Sequence, residues 1–367
     1  MALSLNTPDA KACAPAQDGH LAPALLAELS ASAAAEEAGT RPIARSTDLL
    51  RSAGALTDDG MGRPERTARS LMKVGAANLS VGRLWEGHVN ALALIALYAG
   101  PGQRARADDL IGRGAFLGVW GADGDAPVTW DPLRGCLSGG KRFASGLGTV
   151  SHAIVTVDSG PDVRLALIDV SNMARADTGT WNMQGMKATT SGTFDFTDLP
   201  ESAVDWIGKP GEYLKEPHFV GGVWRIAALQ VGAAVGLLDV AAAQLRSMGR
   251  MQAQPQQTRL MTVLMRAWAG ISLVERAAAA TVNPDLRAEE IVSASISARL
   301  VTEEIALDAI RAVEQSLGIQ HFDAGAQTGR MARDLAVYLR QAARDAFLLR
   351  AAEEALGHDG GIWGIFQ

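Results

Sequence analysis

"GMKATTSGTFDFTDLP" (residues 185–200) ends as a short β-strand with Phe194 and Phe196 at its inward positions. The strand is preceded by Gly-Met-Lys and a run of Thr and Ser, a preface that a strand does not need. Upstream lie "HAIVTVD" and "VRLALIDV", two further strand patterns bounded by the turn-forming cluster "SGPD". Residues 113–218 are rich in Gly, Thr, Val and Trp, and this texture predicts a β domain.

The flanks read differently. Residues 1–112 are Ala-rich and carry helical stretches such as "LAPALLAELSASAAAEEA" and "GHVNALALIALYAG", the second closed by Gly100-Pro101-Gly102. Residues 219–367 return to helix. Between Leu286 and Leu317, the positions Leu300, Leu307, Ile310 and Leu317 recur at spacings of a bundled helix, and "NPDLRAEE" supplies its start. The order is helices, strands, helices.

The chain has 367 residues, 48% apolar and 20% charged, enough for two or three domains with a large core. Its net charge of -6 gives no overall attraction for nucleic acid. Cys13 and Cys136 form no metal-binding pattern. The N-terminus has no secretory pattern, and the apolar run Ile226–Leu238, interrupted by Gln230, is too short to span a bilayer, so a cytoplasmic protein with no membrane span is expected.

With its domain order, the 185–200 stretch resembles the acyl-CoA dehydrogenase superfamily of flavoproteins. Gly185, Met186, Thr189, Ser191, Phe194, Phe196, Asp198 and Pro200 fall on a pattern of that family, with Lys187 in place of the usual Arg. The resemblance implies an α+β protein with an N-terminal helical domain, a middle β-barrel-like domain and a C-terminal four-helix bundle. It also implies FAD. "GGKRFAS" is similar to the segment that lies beside the flavin ring, so Phe143, Ala144 and Ser145 would meet the isoalloxazine, with Thr189 and Ser191 nearby. "GVWGADGD" holds the place of an acidic loop in degraded form, with Asp123 and Asp125.

In the last third, "RSMGRMQAQP" resembles an element that reaches the cofactor of a neighbouring subunit. Arg250 and Gln252 are its matching residues, which implies a homodimer or homotetramer. A planar guanidinium suits a phosphate there. Gln315, Gly318, Arg333 and Asp334 match further elements near the adenine. By residue type alone, Phe143 and Phe196 are core aromatics and Arg333 with Asp334 is a surface ion pair.

The family's usual base, a Glu after the Arg-Asp element, falls here on Arg340, Gln341 and Ala342. An alternative family position on the first C-terminal helix, "GGVWRIAALQVG", offers Arg225 and Gln230 and no carboxylate. Removing a thioester α-proton needs a positioned base. Asp345 is the nearest carboxylate, three residues beyond the aligned site. The chief reading is α,β-dehydrogenation of an acyl thioester, with electrons passed to an acceptor protein or to oxygen.

The missing Glu opens a second reading, since flavin-dependent monooxygenases of the same superfamily lack it. In "RLWEGHVNALALI", His88 matches a His that faces the flavin in some of them and would move a proton there. A third reading is a flavin-binding homologue without activity. Arg225, beside Trp224, is expected to hold an anionic group of a small-molecule substrate.

Overall fold

The computed structural model describes residues 21–158, 160–340, 343–357 and 361–366. Cys13 and the aligned base position Gln341–Ala342 lie outside the described residues.

Among the described residues five helices come first: α1 (Pro23–Glu37), α2 (Ala44–Ser52), α3 (Pro64–Ala77), α4 (Leu79–Tyr98) and α5 (Pro101–Gly112). Asn78 caps α4, its Oδ1 accepting the Val81 N–H at 3.2 Å. Pro101 stands at the first turn of α5, where its missing N–H costs nothing.

Among the described residues nine short strands follow: β1 (Leu117–Trp120), β2 (Thr129–Asp131), β3 (Cys136–Ser138), β4 (Gly140–Lys141), β5 (His152–Val157), β6 (Arg164–Asp169), β7 (Ala176–Asp177), β8 (Thr193–Asp195) and β9 (Asp205–Ile207). They make a four-stranded sheet in the order β1-β5-β6-β9, a pair β2-β3 and a three-stranded sheet β4-β8-β7. β1 runs parallel to β5, and the other pairs are antiparallel. The expected barrel-like closure is absent among the described residues. The sheets stay separate because most strands have two to four residues, and β1 and β9 remain as edges of the largest sheet.

The last part is helical: α6 (Trp224–Ser247), α7 (Gln254–Ala280), α8 (Ala288–Leu317), α9 (Gln327–Tyr338) and α10 (Arg344–Leu356). α6, α7 and α8 pack on one another, and α9 packs on α6. α6 also meets α3 at van der Waals distance of its backbone. A Cβ at Gly232 would stand 2.1 Å from Met72 O, so only glycine permits the approach. Hence one core runs through the helices of both ends, joining Leu71, Val74, Leu229, Val231 and Val274 to Phe194 and Phe196 of the β region.

The run Val220–Ser247 is longer than the apolar stretch measured in the sequence. It covers 28 residues and contains an 18-residue window with a mean hydropathy of 1.8, so length and composition alone would let it cross a membrane. Inside the fold, 67% of that apolar window is buried, as in the central helix of a bundle.

Candidate functional site

The polar preface of the 185–200 stretch is a turn laid across α9. Gly185 sits so close that a Cβ would meet Arg333 O at 2.3 Å. Met186 follows in the left-handed region (φ 55°), which aims its N–H at Asp334 Oδ1, 2.6 Å away. Asp334 is buried at 3% exposure. Burial pushes its carboxyl up to about 6, with Glu37 adding to the rise, while the Met186 N–H and Arg330 and Arg333 oppose it. The Thr189 hydroxyl then donates to Met186 O at 2.7 Å and closes the turn. Beyond it Phe194 and Phe196 enter the core, 4.9 Å apart between ring centres.

This turn forms one wall of a cavity of about 450 Å³ between the β region and helices α4 and α9. On the β side, Thr189 Oγ1 lies 2.8 Å from Ser191 Oγ, which lies 3.2 Å from Ser145 Oγ. Reciprocal backbone bonds bring the two serines together: Ala144 N–H donates to Gly192 O at 2.9 Å, and Gly192 N–H to Ala144 O at 3.2 Å. Ala144 is itself fully buried beneath this wall. Phe143 stands out from the turn, also in the left-handed region (φ 56°), with 48% of its surface open. Its ring meets Trp181 edge-on at 6.0 Å, and the Arg142 guanidinium lies 5.1 Å from its centre. An exposed aromatic face beside three hydroxyls suits a flat, hydrogen-bonding ring system such as a flavin.

The facing wall comes from α4 and α9. Arg83 projects from α4, Val337 and Tyr338 from the last turn of α9, and Arg340 from just beyond. Burial holds the Tyr338 phenol well above its usual range, so it stays protonated.

Phe143, Ser145, Thr189, Ser191 and Arg333 are thus drawn from three separate segments to one cavity. The other residues expected at the site lie elsewhere. His88 is fully buried on the far side of α4, its Nε2 2.8 Å from Leu56 O and its Nδ1 accepting the Leu117 N–H at 2.9 Å. Its ring stacks on Phe116 at 4.9 Å, and burial lowers its pKa to about 4. Both nitrogens are spoken for by backbone. Five residues separate Arg83 from His88, about 140° around a helix, so the face that shows Arg83 to the cavity turns His88 away.

Asp345 lies in the first turn of α10, 96% exposed at its side chain and 3.3 Å from Arg344. It does not line the cavity. The Arg225 guanidinium is buried, donating to Asn90 Oδ1 at 2.7 Å with Glu86 at 3.8 Å. It borders a separate gap of about 30 Å³ with Asn90, His218 and Trp224. Arg250, Gln252, Gln315 and Gly318 are exposed near the C-terminal end of α8, where Arg250 Nη2 lies 3.4 Å from Ser316 O. None of these four reaches the cavity within one chain.

Sequence reasoning missed Arg83, Trp181 and Tyr338. Tyr338 had a usable signal, since it follows Asp334 by one helical turn and so shares its face. Trp181 had none, standing in an irregular segment.

No protein-family model matches the chain, and no curated protein matches it in sequence. Solved structures do match its fold. The dibenzothiophene monooxygenase TdsC from Paenibacillus sp. A11-2 superposes with a TM-score of 0.77 at 19% identity, over 92% of this chain and 96% of that one. The 3-HSA hydroxylase from Rhodococcus sp. RHA1 gives 0.75 at 19% identity, over 92% and 96%. KijD3, solved with FMN and a dTDP-linked amino-keto sugar, gives 0.77 at 18% identity, over 93% and 94%. The chain therefore shares, along nearly its whole length, the mixed helix-and-sheet fold of these flavin-dependent enzymes.

Proposed function

We propose that this chain is a flavin-dependent monooxygenase that oxygenates a small organic molecule in the cavity between the Ser145–Ser191 wall and helices α4 and α9. One observation carries the reading: the cavity has an aromatic and hydroxyl wall fit for a flavin, and among the described residues no carboxylate lines it. Dehydrogenation of a thioester requires a base within reach of the α-proton. Arg340, Gln341 and Ala342, at the aligned base position, supply none by residue type. Two of the fold relatives named above are a monooxygenase and a hydroxylase, which favours oxygenation over dehydrogenation.

When bound in reduced form, a flavin would supply two electrons which, with two protons, would let one atom of dioxygen enter the substrate and the other leave as water. The chain's own part is binding and exclusion. Phe143 and Trp181 would hold such a group through their aromatic surface, and Ser145, Ser191 and Thr189 would offer it hydroxyl groups. Val337 and Tyr338 close the opposite side against water. FMN is bound by TdsC and KijD3, so the reading takes a flavin as cofactor and leaves FMN and FAD as the first pair to compare.

We also infer a homo-oligomer. Arg250 and Gln252 stand apart from their own cavity, and α7 carries an exposed stripe of Met261, Met265 and Trp268 at helical spacing. Light scattering of the purified chain checks it.

The deciding experiment adds FMN or FAD to the purified chain, reduces it anaerobically and admits oxygen with indole, the ligand seen in TdsC. Oxygenated indole supports the reading. Flavin bleaching by an acyl-CoA in place of indole would restore the dehydrogenase reading, and failure to take up either flavin would overturn both.

A further inference from the structure

The cavity wall has a charge that flavin binding does not by itself require. Three guanidinium groups line it, from Arg83, Arg333 and Arg340, and among the described residues no carboxylate does. Arg83 is matched, its Nη1 2.8 Å from Glu86. Arg340 has Glu303 only at 4.0 Å, and 63% of its side chain is exposed. Among the described residues, no carboxylate lies within 4.0 Å of the Arg333 guanidinium, because Asp334 is turned to Met186 and Arg330.

Among the described residues, Arg333 therefore has no close counter-ion on this wall, and Arg340 has only a distant share of Glu303, which also pairs with Arg344 at 3.2 Å and Arg299 at 4.0 Å, in a chain whose net charge is -6. Clefts lined by one sign of charge between low-dielectric walls concentrate the field and draw in the opposite charge. The rest of the lining is apolar or aromatic, including Phe143, Trp181 and Val337. An occupant matching both parts has a flat apolar body and a compact anionic head. A guanidinium binds such a head with two parallel N–H donors.

We propose that the substrate of this cavity is a small aromatic acid whose carboxylate is held by Arg340, with Arg333 adding to the attraction. The proposal deepens the monooxygenase reading and rests on it. Arg340 suits the role by place: it follows the last turn of α9, beside Tyr338, on the wall facing Ser145 and Phe143. The specificity follows from physics. A neutral analogue of the same shape would leave the guanidinium unmatched, while an acid would exchange its hydration for two charge-assisted bonds.

The test uses the full chain saturated with oxidised FMN, so that no turnover occurs. Benzoate and benzamide, nearly equal in shape and different in charge, are titrated in and read by the change in flavin absorption. Benzoate is expected to bind at least tenfold tighter, and the preference to fall below threefold in Arg340→Gln while FMN affinity stays within threefold. Arg340→Lys, which keeps the charge and loses the fork, is expected to retain part of the preference; thermal melts of both variants confirm that they fold. Equal binding of the two probes by the parent chain overturns the proposal. So does an Arg340→Gln variant whose loss falls on FMN itself, since the guanidinium would then belong to the cofactor's phosphate. A chain that takes up no flavin overturns the monooxygenase reading and this proposal together, a result distinct from flavin uptake without acid preference.

Discussion

Met186 donates its backbone N–H to Asp334 Oδ1 at 2.6 Å, across 148 residues of sequence. This bond fixes the turn that bears Thr189 and Ser191 onto the helix that bears Arg333 and Tyr338, so it joins the two walls of the cavity. The carboxyl that accepts it is buried, and its pKa stands at about 6 against an ordinary 3.8. Between those values the folded state binds more protons than the unfolded state, so Asp334 costs stability as pH rises from about 4 to 6. Asp334→Asn keeps an acceptor for Met186 and removes the charge. Relative to the parent, it is expected to gain about 3 kcal/mol of stability between pH 4 and pH 7, from a shift of about two units at ~1.4 kcal/mol each. Urea melts at the two pH values measure it, and a pH-independent difference would count against the buried carboxylate as the cause.

Gly185 sets the distance of that bond. A Cβ there meets Arg333 O at 2.3 Å and its carbonyl carbon at 2.5 Å, and both belong to helix backbone that cannot rotate away. Gly185→Ala is expected to cost about 1–3 kcal/mol, the usual range for overpacking. It should also lift the 185–191 turn off α9 and weaken flavin uptake more than tenfold. A variant with parent-like melting and flavin affinity would show that the turn tolerates displacement.

His88 has the opposite pH behaviour to Asp334. Its pKa falls from 6.5 to about 4, so in that interval the unfolded state binds the extra proton. Its contribution is fully present above pH 6.5 and is lost as pH falls through 4. Removing the ring orphans the Leu117 N–H and takes a stacked partner from Phe116. His88→Ala is expected to lose about 2–4 kcal/mol at pH 7, as for a buried hydrogen-bonded side chain, with flavin affinity within a few-fold of the parent. If His88 instead acted at the flavin, the variant would melt like the parent and lose turnover.

The sequence carried the helix–strand–helix order of elements and several residues of the cavity wall, for physical reasons that differ by residue. Phe143, Ser145, Thr189 and Ser191 were legible because their placement follows from short backbone motifs: a hairpin, a turn and the pairing of Ala144 with Gly192. His88 was taken from a match to a family position and Asp345 as the nearest carboxylate, yet orientation on a helix is set by tertiary packing. A few residues of phase decide whether a side chain meets a cavity, a backbone carbonyl or solvent. The barrel-like middle domain was implied by the family resemblance alone; strand texture reports only that strands are present, and closure depends on strand length and shear. The facing wall was the least legible part, since Arg83 and Trp181 belong to no local motif and gain meaning only from what folds against them.

Arg225 was expected to hold a substrate anion, and the fold gives it an internal one. Arg83, Glu86 and Asn90 occupy one face of α4, and Glu86 lies between Arg83 at 2.8 Å and Arg225 at 3.8 Å. Glu86 and Arg225 are both at least 91% buried, since their exposures are 7% and 9%. Each charge is tolerated because the other is present, and removing one leaves its partner uncompensated in low dielectric. Arg225→Ala and Glu86→Ala are each expected to cost on the order of 3–5 kcal/mol, and the double variant less than their sum. Ligand affinity separates the two single variants from Arg340→Gln. Arg225→Ala should leave benzoate binding by the flavin-saturated chain within threefold of the parent, and a tenfold loss would return Arg225 to the binding site.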